Sequence, residues 1–125
     1  MLYMIGLGLN DEKDITIKGL EAIKNCEYIY LEDYTSKLNV PVSKLEEFYK
    51  KNIILASREI VEKKAEEILE KATLKTVAFL VVGDVFGATT HTDIFLRAKE
   101  KNIEIKIIHN TSILTAVGQT GLELY

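Results

Sequence analysis

The chain has 125 residues, the size of one ordinary domain and enough to bury a core of its own. Apolar residues make up 47% and charged residues 28%, which fits a globular fold and argues against a disordered chain. A net charge of −3 leaves no basic footprint for nucleic acid, and the single cysteine, Cys26, excludes an internal disulfide.

Residues Leu2 to Leu9 form an apolar run ending in GLGLND, the pattern of a buried strand entering a loop. The run is too short to span a bilayer and lacks a basic start and a cleavage site, so neither a membrane segment nor a signal peptide is expected. With the free cysteine, this points to a cytoplasmic protein. Asp14 or Thr16 can cap a first helix with Ile17, Leu20 and Ile23 on its apolar face. Cys26 ends that pattern and reads as a semi-buried structural thiol.

Tyr28 to Leu31 is a short second strand, followed by the polar stretch EDYTSKLNVP with the only proline, Pro41. Ser43 and Glu46 have capping-box spacing ahead of a short helix with Val42, Leu45 and Phe48 or Tyr49 on its inner side. Ile53 to Ala56 reads as the third strand. Arg58 to Thr73 reads as a single amphipathic helix, its stripe being Val61, Ala65, Ile68, Leu69 and Ala72. Val77 to Val82 is a fully apolar fourth strand. Thr90 and Asp93 repeat the capping-box spacing before Ile94, Leu96 and Ala98. Ile103 to Ile108 is the fifth strand, and Asn110 or Ser112 opens a last helix running through Val117. The terminal GLELY has the look of a further strand, so residues 1–125 are expected to be part of a longer protein.

Strand and helix alternate throughout. The expected fold is a three-layer α/β domain with a largely parallel five-stranded sheet. Runs such as VAFLVV lack a polar alternate face, as befits strands covered by helices on both sides.

Open parallel sheets bind ligands beyond the carboxyl ends of their strands, which selects GLGLND, ED, GDVFGATTH and HNTS. Gly6 and Gly8 permit a tight turn, but Asp11 stands where a dinucleotide fingerprint needs its third glycine. Asp84, between Gly83 and Gly87, can accept from ribose hydroxyls or a cofactor amine, or it can simply organise the turn. Gly87 leaves space beside it. His91, in the first turn of a helix, is open to a general-base or a packing role, and His109 reads as structural. Glu32 and Asp33 stand where a ribose-binding acid is found in dinucleotide folds, and a solvated turn explains them as well. The Ser112 hydroxyl can cap the last helix or, with Ile113, bind a ligand. The sequence offers no metal-ligand spacing, P-loop or GxSxG motif.

Residues 1–36 and the stretch VVGDVFGATTHTDIFLRAKEKNIEIKIIHNTSILTAVGQTGLELY closely resemble the diphthine synthases, a branch of the tetrapyrrole-methylase fold group. GATTHTD together with IHNTSI is the part specific to that branch; the likeness is weakest between Lys37 and Thr76. The resemblance implies a cytoplasmic, homodimeric, S-adenosylmethionine-dependent methyltransferase with no metal. Its implied acceptor is the amine of a 3-amino-3-carboxypropyl-histidine on elongation factor 2, modified on the way to diphthamide. It further implies cofactor contacts from Leu9, Asp84, Gly87, Ser112 and Ile113, and a second α/β domain that completes the cofactor cleft. Val85 departs from the family loop, which reads GDPFGATTH. Two other readings remain: a methyltransferase acting on a tetrapyrrole, and a non-catalytic module that dimerises or binds a nucleotide.

Overall fold

A computed structural model of the chain describes residues 1–62, 65–87 and 90–122. Five strands, β1 (Leu2–Gly6), β2 (Tyr28–Glu32), β3 (Ile54–Ala56), β4 (Val77–Val81) and β5 (Ile105–Ile108), form one sheet in the order β3-β2-β4-β1-β5. Every pairing is parallel, and in the centre Leu2 to Gly6 run in register with Val77 to Val81.

The alternation of side chains along each strand separates two apolar layers. Leu2, Met4, Tyr30 and Phe79 pack on one face with Val61 of α3 (Arg58–Glu62), Ile68 and Leu69 of α4 (Ala65–Leu74), and Ile94 of α5 (Thr90–Glu100). Ile5, Ile29, Leu31 and Leu80 pack on the other with Ile23 of α1 (Ile17–Lys24) and Leu45 and Tyr49 of α2 (Val42–Tyr49). The expected three-layer α/β domain with a parallel five-stranded sheet is thus observed. The central strand β4 is buried at all five positions, which explains its unbroken apolar sequence.

Several local expectations differ from what is found. The first strand ends at Gly6, because the chain turns at Gly8, whose φ of +78° is left-handed. Thr16, not Asp14, caps α1 by accepting from the Gly19 N–H; Leu20 and Ile23 pack as expected, with Gly19 and Ala22 beside them, whereas Ile17 at the helix start is 79% exposed. Helix α2 starts after Pro41 with no side-chain cap; Ser43 lies inside it, and Glu46 instead accepts from the Ile53 N–H at 2.9 Å. The Arg58–Thr73 stripe is buried as read, on α3 and α4, with Lys63 and Lys64 outside the described residues. In α5 the Asp93 carboxylate pairs with Arg97 at 3.0 Å, and Leu96 is half exposed while Ile94 and Ala98 are buried. Ser112 caps the short α6 (Ile113–Ala116), which passes into a 3-10 turn, Val117–Thr120. The further strand expected at GLELY falls largely on residues 123–125, outside the described residues.

Candidate active site

The carboxyl ends of β1, β4 and β5 are fastened to one another. Gly8 and Gly83 exchange backbone hydrogen bonds of 3.2 and 2.7 Å in an isolated antiparallel bridge that joins the loops after β1 and β4. Both glycines have left-handed φ, +78° and +80°, which few other residues adopt without strain. Gly6 answers a different need. A Cβ there would stand 2.7 Å from the Gly83 carbonyl oxygen and 2.9 Å from Asn110 Cβ, so the close approach served by this glycine is to protein backbone.

The loop after β5 is tied in by side chains. Asp84 accepts from the Asn110 N–H at 3.0 Å and lies 3.0 Å from His109 Nδ1, while Asn110 Nδ2 donates to the carbonyls of Gly6 and Asp14 at 3.1 and 2.9 Å. Asp84 therefore organises the turn, as one of its two readings has it, and its side chain also borders a cleft. The His109 side chain is 68% exposed, so its contact with Asp84 adds little to stability. The Asn110 hydrogen bonds, partly buried, carry more.

Above this floor lies a cleft of about 290 Å³. Leu9, Asp84, Gly87, Ser112 and Ile113, separated by up to about a hundred positions in sequence, all line it. A Cβ on Gly87 would lie 3.2 Å from Ser112 Oγ, so the glycine keeps that hydroxyl's surroundings open. Ser112 Oγ itself accepts from the Leu114 N–H at 3.1 Å, in its capping role. The described loop includes Val85, which is fully buried in the apolar layer under α5; its place in the sheet-end turn needs no proline ring.

His91 also lines the cleft but is only 1% exposed; its Nδ1 lies 3.2 Å from the Val85 carbonyl and its ring packs on Phe79. Those contacts are what a packing role requires. Cys26 is buried, and burial pushes its thiol up to about 11, so it is neutral and shielded at physiological pH.

The reading of Glu32 as part of a solvated turn does not hold. Glu32 ends β2, is 1% exposed, and its Oε1 accepts from the backbone of Tyr34 and Thr35. Thr35, Ser36 and Lys37, which follow it, form one wall of the cleft. Sequence reading missed this wall: the residues lie in an irregular loop without periodicity, and the signal available was their position after a strand end of a parallel sheet. Among the described residues no group of three or more metal-ligating side chains occurs.

Along residues 1–125 the sequence matches the model of the tetrapyrrole (corrin/porphyrin) methylases. The chain belongs to that family. The chain is 60% identical to the diphthine methyl ester synthase of Kluyveromyces lactis and 57% identical to that of Homo sapiens, over its whole length in both cases. It covers 42% and 44% of those proteins, so it spans less than half the length of these relatives. Its fold superposes on a crystal structure of diphthine synthase with a TM-score of 0.95 at 44% identity, covering 99% of this chain and 50% of that protein. The resemblance carried by the GATTHTD and IHNTSI segments is therefore borne out across the chain. No described helix is long and apolar enough to cross a membrane.

Proposed function

We propose that this chain is the donor-binding half of an S-adenosylmethionine-dependent methyltransferase that modifies elongation factor 2 on the route to diphthamide. The observation that carries this reading is the convergence of Leu9, Asp84, Gly87, Ser112 and Ile113 on one cleft at the strand ends. It gains support from relatives at 57–60% identity that are named for diphthine methyl ester synthesis.

The residues present fit an adenosyl sulfonium. Leu9, Val81 and Ile113 offer apolar surface for a flat base, Asp84 offers carboxylate lone pairs for hydroxyl donors, and Gly87 leaves the room a side chain would fill. At about 290 Å³ the cleft lies at the lower edge of the range for drug-sized ligands. On this reading the remaining wall comes from the part of the family protein that the chain does not span.

When bound, S-adenosylmethionine supplies a methyl group activated on sulfur, which a nucleophile displaces in line. The chain's own task is then to hold and orient, because such a displacement depends chiefly on alignment. The acceptor we assign is the 3-amino-3-carboxypropyl group of the modified histidine. At its amine, the attacking nitrogen needs a free lone pair and loses its proton to solvent. At its carboxylate, the atom implied by the relatives' methyl ester name, an oxygen–carbon bond forms with no proton to remove. The same reading makes the protein cytoplasmic, homodimeric and independent of metal.

The test is a methylation assay of the full-length protein with elongation factor 2 carrying the aminocarboxypropyl-histidine, read by mass spectrometry of the modified peptide. Methyl additions confined to that histidine are expected. Methylation of a precorrin with elongation factor 2 left untouched would instead establish a tetrapyrrole acceptor, and turnover of neither would favour a non-catalytic module.

A further inference from the structure

Next to the cleft just described lies a second, of about 180 Å³, walled by Leu31, Leu38, Val40, Val42 and Leu45. The two share Ser36, Lys37 and Val82 and so adjoin along that border. That border belongs to a strap, residues 33–40, whose Asp33 N–H donates to the Ala56 carbonyl at 3.2 Å and which side chains tie down at two further places. At its far end the Asn39 N–H donates to the Asn10 carbonyl at 2.8 Å and Asn39 Nδ2 to Asn10 Oδ1 at 2.9 Å, both in exposed positions. At its near end the tie is Glu32. A single oxygen, Oε1, accepts from the Tyr34 N–H at 3.3 Å, the Thr35 N–H at 2.7 Å and the Thr35 hydroxyl at 2.5 Å.

A carboxylate is a costly way to build a turn in a buried place. Charged side chains are seldom fully buried unless well paired, and Glu32 Oε2 has no hydrogen-bond partner among the described residues. In return, its bonds to the strap are charge-assisted, roughly twice as strong as neutral ones. The cost is accounted for if the placement of the strap is what is being held. The second cleft also carries Asp33 and Lys37, neither of which forms an ion pair among the described residues. An apolar wall with one free carboxylate and one free ammonium matches an alkyl stem ending in an amine and a carboxyl group.

We infer that Glu32 is a positioning residue for the acceptor, holding Ser36 and Lys37 at the common border of the two clefts so that an aminocarboxypropyl side chain entering from the second meets the methyl donor in the first. This rests on the methyltransferase reading. Glu32 itself borders the second cleft, and the role assigned to it is exerted through its bonds to Tyr34 and Thr35 of the strap.

The experiment compares full-length protein with Glu32→Ala and Glu32→Gln, measuring acceptor KM, kcat, calorimetric S-adenosylhomocysteine affinity, melting temperature and amide exchange at residues 34–37. For Glu32→Ala the acceptor KM is expected to rise and kcat to fall, each by about tenfold, because misalignment of about an ångström has effects of that order or larger. Donor affinity is expected to stay within about threefold, since most of the first cleft does not touch the strap. Glu32→Gln keeps an accepting oxygen, so it should recover most of the acceptor KM; it also serves if the alanine variant does not fold. An acceptor KM unchanged within about twofold despite faster exchange at 34–37 overturns the inference, as does a donor affinity that weakens as much as acceptor KM. Unsubstituted protein that binds no S-adenosylhomocysteine would overturn the methyltransferase reading and this inference together, a result no Glu32 variant can imitate.

Discussion

The two sides of the cleft are built in different ways. On the β1–β4–β5 side, backbone locks to backbone: the Gly8–Gly83 bridge, the close stacking of Gly6 under Gly83, and Asn110 reaching across to two carbonyls. On the β2 side, an irregular strap is moored by one buried carboxylate and one exposed pair of asparagines. The first arrangement has no freedom without breaking the sheet end. The second can be loosened by removing one side chain while the sheet stays intact. On the reading we propose, the rigid floor serves a ligand that is the same in every turnover and the adjustable wall an acceptor presented by another protein.

The comparison breaks most sharply at Gly6. An added Cβ meets the Gly83 carbonyl and Asn110 at distances that only backbone movement can relieve. Gly6→Ala is expected to cost about 3 kcal/mol, in the upper range for overpacking. For a domain of this size that corresponds to a fall in melting temperature of roughly 10 °C, measurable by calorimetry or circular dichroism. The same variant should lose donor affinity, because the floor it distorts carries Asp84 and Gly83.

A smaller effect comes from buried groups sensitive to alkali, of which Tyr34 lies in the strap and Cys26 and Tyr49 in the apolar layer under α1 and α2. Burial pushes the Cys26 thiol up to about 11, and burial together with the charge of Glu32 pushes the Tyr34 phenol up to about 12. Burial also raises Tyr49. Each group is neutral when protonated, and its folded-state pKa lies above the unfolded one, so the folded state holds more protons at high pH. Their stabilisation is complete below about pH 9 and is lost as pH rises through the folded values. Melting temperature should therefore fall between pH 9 and 11, and Cys26→Ala should flatten that fall relative to its own value at pH 7.

What was legible in the sequence divides along the same line. The sheet, its parallel sense and both apolar layers could be read from uninterrupted runs such as Val77 to Val81 and from the Val61–Ala72 stripe, because burial on two faces leaves a direct compositional trace. The floor of the cleft was legible in part: glycines flagged the turns, but nothing in GLG distinguishes approach to a ligand from approach to Gly83. Asn110 looked like a helix cap, and its true partners, Gly6 and Asp14, lie about a hundred residues away in sequence. Glu32 and the strap were least legible. A carboxylate at a strand end followed by polar residues has the composition of a solvated turn, and its burial comes from strands and helices that pack later in the chain. The exposed Ile17 shows the converse error, an apolar residue at helical spacing that finds nothing to pack against in this chain.

Whether the β1–β4–β5 floor is the donor site is tested most directly by a calorimetric titration of S-adenosylhomocysteine into the full-length protein and into its Asp84→Ala variant. Removing Asp84 releases the Asn110 N–H and one edge of the cleft, a loss of about 1–2 kcal/mol and so roughly tenfold in affinity if the floor holds the ligand. The predicted result is binding by the unsubstituted full-length protein that Asp84→Ala weakens about tenfold and that NAD does not reproduce. Binding of equal strength to both proteins, or no binding by either, would contradict it.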